Sequence, residues 1–410
     1  MTSKITLFQS YTGSESALRT VEKLRESQFI ESILFLSPRE FKRNIPGSKT
    51  LFIESLFSSK TVSLICDNAN TELILFITKE AQINFYPNAL ERFISIYNDT
   101  KAGLIYSDYH EVKSGQKYPH PLIDYHLGSI RDDFSFGSAV LIRKEALVKS
   151  IKNKTENFIY AGLYDTRLSI SENYPVIRIP EFLYESIEND LIDPAVKHFE
   201  YVDPKNRDAQ IEMEKAATMH LKRIGAYLEP EYESLNYENS QFEYEASVII
   251  PVKDRVNTIC DAVDSVIKQK TDFPFNLIVV DNHSTDGTTE ILSSYAAKDN
   301  RIVHIIPGAD CLGIGGCWNV AIENEKCGRY CIQLDSDDIY SDDNVLQRIV
   351  DLFHRGNYAM IIGSYKITDF ELNEIPPGIV AHKEWTSENG RNNALRINGL
   401  GAQGLFIRLL

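Results

Sequence analysis

No apolar run in this chain approaches the roughly 20 residues needed to cross a bilayer. The start, Met1-Thr-Ser-Lys-Ile-Thr-Leu-Phe8, lacks both an apolar leader segment and a small-residue cleavage site, so the expectation is a cytoplasmic protein. Positive charge is in deficit. There are 43 Lys and Arg against 58 Asp and Glu, a formal net charge of −15. Such a chain repels phosphate backbones, so nucleic acid is not an expected partner. An anionic nucleotide would need local donors or a bound cation to offset that repulsion. No C-x-x-C pair occurs, although Cys311, Cys317, Cys327 and Cys331 fall close together. The spacing fits no standard zinc knuckle, and reduced, mostly buried thiols are expected. No Walker-type lysine follows the glycines of Gly313-Ile-Gly-Gly316.

What is present is an ordinary globular composition over 410 residues, 43% hydrophobic and 25% charged, enough for two domains. The chain also resembles itself at long period. With no gap, Ile83 falls on Ile339, Asn88 on Asn344, Leu90 on Leu346, Arg92 on Arg348 and Tyr109 on Tyr365. Gly137-Ser-Ala-Val-Leu-Ile-Arg143 resembles Ala402-Gln-Gly-Leu-Phe-Ile-Arg408. A period of this length suggests a duplicated domain, with chance similarity of two α/β segments as the plain alternative. The division expected is 1–202, a helical and acidic linker over 203–244, and 245–410. Within the linker, residues 211–224 have helical spacing of apolar residues.

In the second half the order of elements is legible. Ser247–Val252, Asn276–Asp281, Arg301–Ile306 and Arg329–Asp335 are short apolar runs and read as buried strands. Helical spacing lies between them, over Thr258–Lys268, Thr288–Ala297 and Trp318–Glu325. This alternation predicts a parallel α/β sheet, whose ligands bind beyond the carboxyl ends of the strands. Polar residues collect at those ends: Pro251-Val-Lys-Asp254-Arg255, then Asp281-Asn-His-Ser-Thr-Asp286, then Asp335-Ser336-Asp337-Asp338.

Three carboxylates within four residues repel one another unless a cation or water separates them. Aspartates at i and i+2 offer hard oxygen donors suited to Mn²⁺ or Mg²⁺. The plain alternative is a solvated acidic turn capping the next helix. Asp281 can accept from a base N–H or a ribose hydroxyl, and Ser284–Thr288 has the composition of a turn and cap. Gly313 and its neighbours permit close backbone approach to a phosphate, or form an ordinary loop. In Ala381-His382-Lys-Glu384-Trp385, the indole could stack on a sugar face while Glu384 accepts a hydrogen bond.

With these strand ends in place, the second half resembles the inverting family 2 glycosyltransferases of GT-A fold. Ser247-Val-Ile-Ile-Pro-Val-Lys-Asp-Arg255 is similar to their opening strand. Val279-Val-Asp-Asn-His-Ser-Thr-Asp-Gly-Thr288 is similar to their Val-Asp-Asp-Gly-Ser-Thr-Asp-Gly-Thr signature, and Leu334-Asp-Ser-Asp-Asp338 to their metal motif. The resemblance spans about Ser247 to Arg408. It implies two GT-A-like, Rossmann-like domains in tandem with mostly parallel sheets, the second truncated at its C-terminus. It also implies that Pro251, Asp254, Arg255, Gly313, Asn319 and Ser336 contact a nucleotide sugar. By the same resemblance Asp281 holds the base, Asp335 lies toward the ribose and Asp337, with Asp335, binds Mn²⁺ or Mg²⁺.

Two departures stand out. Cys317-Trp318-Asn319 replaces an Ala-Arg-Asn common in the family, and the Glu-Asp pair expected after the last strand falls beyond Leu410. The first half carries Lys79-Glu-Ala-Gln82 where Asp335–Asp338 stands, and reads as a degenerate, non-catalytic copy. Glu384 and Asp165 are the available candidates for a catalytic base. The expectation is transfer of a sugar from a nucleotide diphosphate, a UDP-sugar first, to an acceptor hydroxyl with inversion in polysaccharide synthesis. The acceptor would be a glycan or lipid-linked, and a peripheral membrane contact is compatible with that. The alternatives are a non-catalytic nucleotide-sugar-binding scaffold and a nucleotidyltransferase. The second normally has a glycine-rich loop after its first strand, where this chain has Pro251-Val-Lys-Asp-Arg-Val-Asn257.

Overall fold

The computed structural model describes residues 3–38, 46–187, 206–233, 241–309, 312–356, 358–381, 383–397 and 404–407, the last four as backbone. The chain divides into two compact units. The first comprises residues 1–230 and 368–397, the second residues 231–367 and 398–410. Among the described residues no helix is long and apolar enough to cross a membrane.

The first unit is built on a nine-stranded sheet: β1 (Ile5–Ser10), β2 (Ile30–Ser37), β3 (Ser48–Phe52), β4 (Leu73–Ile77), β5 (Gln82–Phe85), β6 (Leu104–Lys113), β7 (Gln116–His120), β8 (Ala139–Arg143) and β9 (Val176–Ile187). The order is β3-β2-β1-β4-β8-β6-β9-β5, with β7 paired to β6. β1 to β4 are parallel, and β8 runs antiparallel to both β4 and β6. The helices are α1 (Glu15–Arg25), α2 (Ser59–Asn68), α3 (Ala89–Thr100), α4 (Lys144–Lys152), α5 (Gly162–Ser171) and α6 (Arg207–Arg223).

The helix expected in the linker is α6, and it is part of this unit. Its small residues Ala216 and Ala217 are fully buried in a cluster with Tyr164 and Leu168 of α5. Glu212 accepts from the backbone N–H groups of Ile159, Tyr160 and Ala161 just before α5. Helical periodicity signals that a stripe is buried, not against what, and that is why α6 read as a linker.

The second unit contains β10 (Ala246–Val252), β11 (Phe275–Asp281), β12 (Ile302–Ile305), β13 (Tyr330–Gln333) and β14 (Met360–Ile362). With them are α7 (Ile259–Ile267), α8 (Thr288–Lys298), α9 (Ile314–Ile322) and α10 (Val345–Arg355). A hairpin of β15 (Tyr365–Thr368) and β16 (Glu374–Val380) follows, then α11 (Gly390–Arg396) and β17 (Gly404–Ile407). The sheet order is β12-β11-β10-β13-β17-β14. β10 to β13 are parallel and β17 is antiparallel to both its neighbours. This is the order β3-β2-β1-β4-β8-β6 of the first sheet, strand for strand. β11 is buried along its whole length, as a parallel strand covered on both faces must be.

The expected strands and helices of this half form, with one shift. Helix α9 begins at Ile314, a turn before Trp318. Its glycines are poor helix formers, but Cys317 and Ala321 bury against Ile278 and Val280 of β11, and packing of that face outweighs propensity.

Residues 368–397 lie in the first unit, although the sequence reading kept all of 245–410 together. The anchor is Arg396, which has no exposed surface. It donates to Asp132 at 2.6 Å, to Gln210 at 2.9 Å and to Asn393 at 2.8 Å. A buried guanidinium must find acceptors, and those available are on the first unit. Replacing Arg396 by Ala strands the Asp132 carboxylate and should cost about 3 kcal/mol or more. Thermal unfolding of Arg396→Ala, Asp132→Ala and the double variant should show the double no worse than the worse single. Additive losses would mean that the two side chains are not paired.

Candidate functional site

The site is built where β10, β11 and β13 end side by side. Val252 pairs with Asp281, and Ile249 with Gln333, so the polar segments that follow leave the sheet as neighbours. Side chains then satisfy the backbone groups of each other's loops. Asp254 Oδ1 accepts from the Thr285 N–H at 2.7 Å, and the Asp254 N–H donates to Ser284 Oγ at 3.0 Å. The Arg255 N–H donates to Thr288 Oγ1 at 2.9 Å, and the Val256 N–H to Asp286 Oδ2 at 2.9 Å. Thr258 Oγ1 donates to the Ser336 carbonyl at 2.9 Å, which ties in the loop after β13.

Two non-glycine residues here, Asp254 (φ 53°) and His283 (φ 58°), have left-handed backbone. Asp and His tolerate this better than most residues, and such outliers gather at functional sites. Gly287, at φ 103° just before α8, stands where a side chain would be strained.

Of the residues singled out from sequence, this network joins Asp254, Arg255, Asp281 and Ser336, and it brings Arg255 Nε to 3.8 Å from Asp337 Oδ2. Pro251 is half-buried in β10. Gly313 and Asn319 are exposed on α9, with Gly313 at its first end. A Cβ at Gly313 would meet nothing within 4 Å, so the fold itself does not demand glycine there.

Asp281 is a correction. It has no exposed surface, and both its oxygens are engaged inside the loop. Oδ1 accepts from the Ser284 N–H at 2.9 Å, Oδ2 from Thr289 Oγ1 at 2.5 Å, and His304 Nε2 lies 3.5 Å away. Burial alone would raise its pKa, but the Thr289, Ser284 and His304 contacts together hold it below the usual value. It shapes the loop and is covered from a base. The neighbouring Asn282 is 9% exposed. Its Nδ2 donates to the Leu312 carbonyl, whereas its buried Oδ1 has no partner among the described residues. Asn282 stands at the second Asp of the signature.

Asp165 is a second correction. It is 2% exposed, and its carboxylate accepts from Arg223 at 3.3 Å. Burial pushes its pKa up, opposed by Arg223 and Lys154. A carboxylate enclosed and paired in this way holds α5 to α6 and has no access to an acceptor hydroxyl. Glu384 is half-buried in the segment that belongs to the first unit, and its carbonyl accepts from Asn389 Nδ2. His382 and Cys311 lie outside the described residues. Cys66, Cys260, Cys317, Cys327 and Cys331 are not in disulfides, and the Cys327 and Cys331 sulfurs lie 3.5 Å apart.

The electrostatics concentrate at Asp335–Asp338. Asp335 accepts from Gln333 Nε2 at 3.1 Å, and burial, with Asp337 adding to it, raises its pKa. Asp338 is pushed up to about 6, by burial first and then by the charges of Asp335 and Asp337. Asp337 is the exposed member, its side chain 49% accessible. Mutual repulsion of this kind is relieved by a cation. Among the described residues no three His, Cys, Asp or Glu side chains close on one metal position.

Comparison with known proteins takes in the strand ends that carry this geometry. Residues 247–406 match the family model described as Glycosyl transferase family 2. That match takes in β10 to β14. An uncharacterized glycosyltransferase of Rickettsia felis is 24% identical over 296 residues, covering 64% of this chain and 47% of that protein. The UDP-Glc:alpha-D-GlcNAc-diphosphoundecaprenol beta-1,3-glucosyltransferase WfgD of Escherichia coli is 30% identical over 125 residues, 30% of this chain and 47% of that protein. A crystal structure of Staphylococcus aureus TarS 1-349 aligns with TM-score 0.32 and 26% identity over 40% of this chain and 47% of that one. The chain spans about half the length of the curated relatives it matches over most of its own length.

The raised pKa of Asp338 has a stability consequence. Its unfolded value is the ordinary 3.8 and its folded value about 6. Between these values the unfolded chain releases its proton first, so this group lowers stability as pH rises through that window, and the loss persists above it. Asp338→Asn should stabilise the second unit at pH 7.5 by on the order of 1 kcal/mol, allowing for partial solvent access, and by little at pH 4. Melting curves at the two pH values check this. Equal shifts at both would show that ionisation is not the cause.

Proposed function

We propose that the second unit binds a nucleotide-diphosphate sugar, a UDP-sugar first, and that the protein transfers the sugar to an acceptor hydroxyl with inversion during assembly of a surface polysaccharide. The observation that carries the reading is the tied set of strand ends, which presents Asp335, Asp337 and Asp338 beside Arg255. The WfgD name includes a UDP-glucose donor and a diphosphoundecaprenol-linked acceptor, in keeping with a lipid-linked or glycan acceptor here.

The residues fit Mn²⁺ or Mg²⁺. Asp337 and Asp335 supply hard oxygens, and repulsion already raises the pKa of Asp335 and Asp338. Such ions are commonly held by one or two carboxylates, with phosphate and water completing the shell, so the lack of a third closing ligand among the described residues is compatible with the fit. When bound, the ion would supply positive charge against the departing diphosphate.

The chain's own groups do the rest. Asp254 and Ser284 hold the loop after β11 that faces the nucleotide. Arg255, exposed and 3.8 Å from Asp337, adds a cationic donor for phosphate oxygens. The first turn of α9 offers amides that lack an intrahelical acceptor. Asp335 lies toward the ribose in this reading, and Ser336 contributes only its backbone, since its side chain is buried.

Asp165 is buried and paired, which leaves Glu384 as the candidate base. The second reading is a chain that binds donor without turnover. Calorimetry with UDP, with and without Mn²⁺, tests the main proposal. Asp337→Ala should weaken UDP binding at least tenfold and remove its dependence on Mn²⁺. Unchanged affinity and metal dependence would overturn the site. Release of UDP from UDP-sugar in the presence of glycan acceptors separates turnover from binding alone.

A further inference from the structure

The first unit holds a cavity of about 310 Å³ between its sheet and helices α2, α4 and α5. Its wall is mostly apolar, including Val62, Ile65, Val140, Leu147 and Leu163. At this size it falls at the small end of ligand sites, which run from roughly 300 to 1,000 Å³. Two charged groups line it, Asp132 and Arg167. Arg167, on α5, is 7% exposed, and its guanidinium lies among aromatic rings, 4.8 Å from the centroid of Tyr164 and 5.5 Å from that of Phe136. Nη2 donates to the Arg131 carbonyl at 2.7 Å, while Nη1 is buried with no acceptor among the described residues.

The Asp132 carboxylate makes no hydrogen bond to Arg167 Nη1; it is bound by Arg396, which donates to Asp132 Oδ2 at 2.6 Å and offsets its charge. A buried cationic N–H without an acceptor costs more than an ordinary unmade hydrogen bond. Water is a poor remedy in this space. Each trapped water needs two to four polar partners, and a wall of this composition supplies few.

We propose that this cavity binds an anionic amphiphile, its anionic head on Arg167 Nη1 and its apolar tail among the side chains of α2, α4 and β8. A tail of about eight to ten carbons fits if each carbon occupies roughly the 30 Å³ of a liquid water. The head is a carboxylate or a phosphate monoester, since either presents an oxygen to one guanidinium N–H. The aromatic rings around Arg167 keep the cation in place and exclude solvent from the pair. This site is independent of the nucleotide-sugar reading. It belongs to the first unit, it does not use Asp335–Asp338, and its ligand contains no nucleotide.

Titration calorimetry on the full chain tests it with decanoate, decyl phosphate and decanol below their aggregation concentrations. One anion should bind once per chain, at least tenfold more tightly than decanol, and the tighter of the two identifies the head group. Arg167→Met keeps the volume and apolar body of the side chain. It should reduce the anion to the affinity of decanol, while UDP binding in the presence of Mn²⁺ is unchanged. No saturable binding of either anion, equal binding of decanol, or anion binding unaltered in Arg167→Met would each overturn the proposal. Should the variant fail to fold, the ratio of anion to decanol on the unaltered protein decides it.

Discussion

A parallel strand that ends at a sheet's rim leaves backbone amides that its neighbours no longer complete, and these must find acceptors. In the second unit the acceptors are short side chains on adjacent strand ends. Asp254 accepts from the loop after β11, Asp286 from the loop after β10, and Asp281 from its own turn. The first two bonds each fix two loops at once. The position of Asp335–Asp338 follows, because Thr258 binds the Ser336 carbonyl and so holds the acidic loop against the other two. An exposed, mutually repelling set of carboxylates is thereby kept in place by neutral hydrogen bonds that do not depend on its own charge state.

The first unit shows what the same strand order does with different residues at the rim. Where the second unit has Asp335–Asp338, the first has Lys79–Gln82, and Glu80 accepts from Thr12 at 2.7 Å while Gln9 donates to the Lys79 carbonyl. The chain then enters β5 and pairs with β9, giving this sheet strands beyond the shared six. The rim is closed by its own hydrogen bonds. The polar chemistry of this unit lies elsewhere, on α5, where Asp165 ties α5 to α6 and Arg167 lines the internal cavity. One topology thus supports two distributions of charge, because the sheet fixes strand positions and leaves the loop residues free.

Much of the fold was legible because parallel strands buried on both faces read as unbroken apolar runs. Ser247–Val252 and Asn276–Asp281 needed no tertiary information to be found. Asn88 and Asn344, which the internal resemblance sets side by side, each stand just before a helix, α3 and α10. Some assignments failed where a side chain's role depends on what lies across from it. Asp281 and Asp165 are carboxylates at conspicuous places, and sequence cannot tell an acceptor facing a cleft from one enclosed by Thr289 or Arg223. Arg396 looked like one more charge near a strand, yet it is an anchor with no exposed surface.

The sequence by itself determined the alternation of strand and helix and the acidic cluster beyond β13, since both are written in local spacing and residue type. It also determined the family 2 resemblance of residues 247–406. Only the tertiary structure decided which carboxylates are open and which are enclosed. It alone decided that residues 368–397 belong with the first unit, and that the Arg167 guanidinium lines a mostly apolar cavity. These depend on burial and on partners hundreds of residues away, and desolvation acts on the folded neighbourhood of a charge, not on its place in the chain.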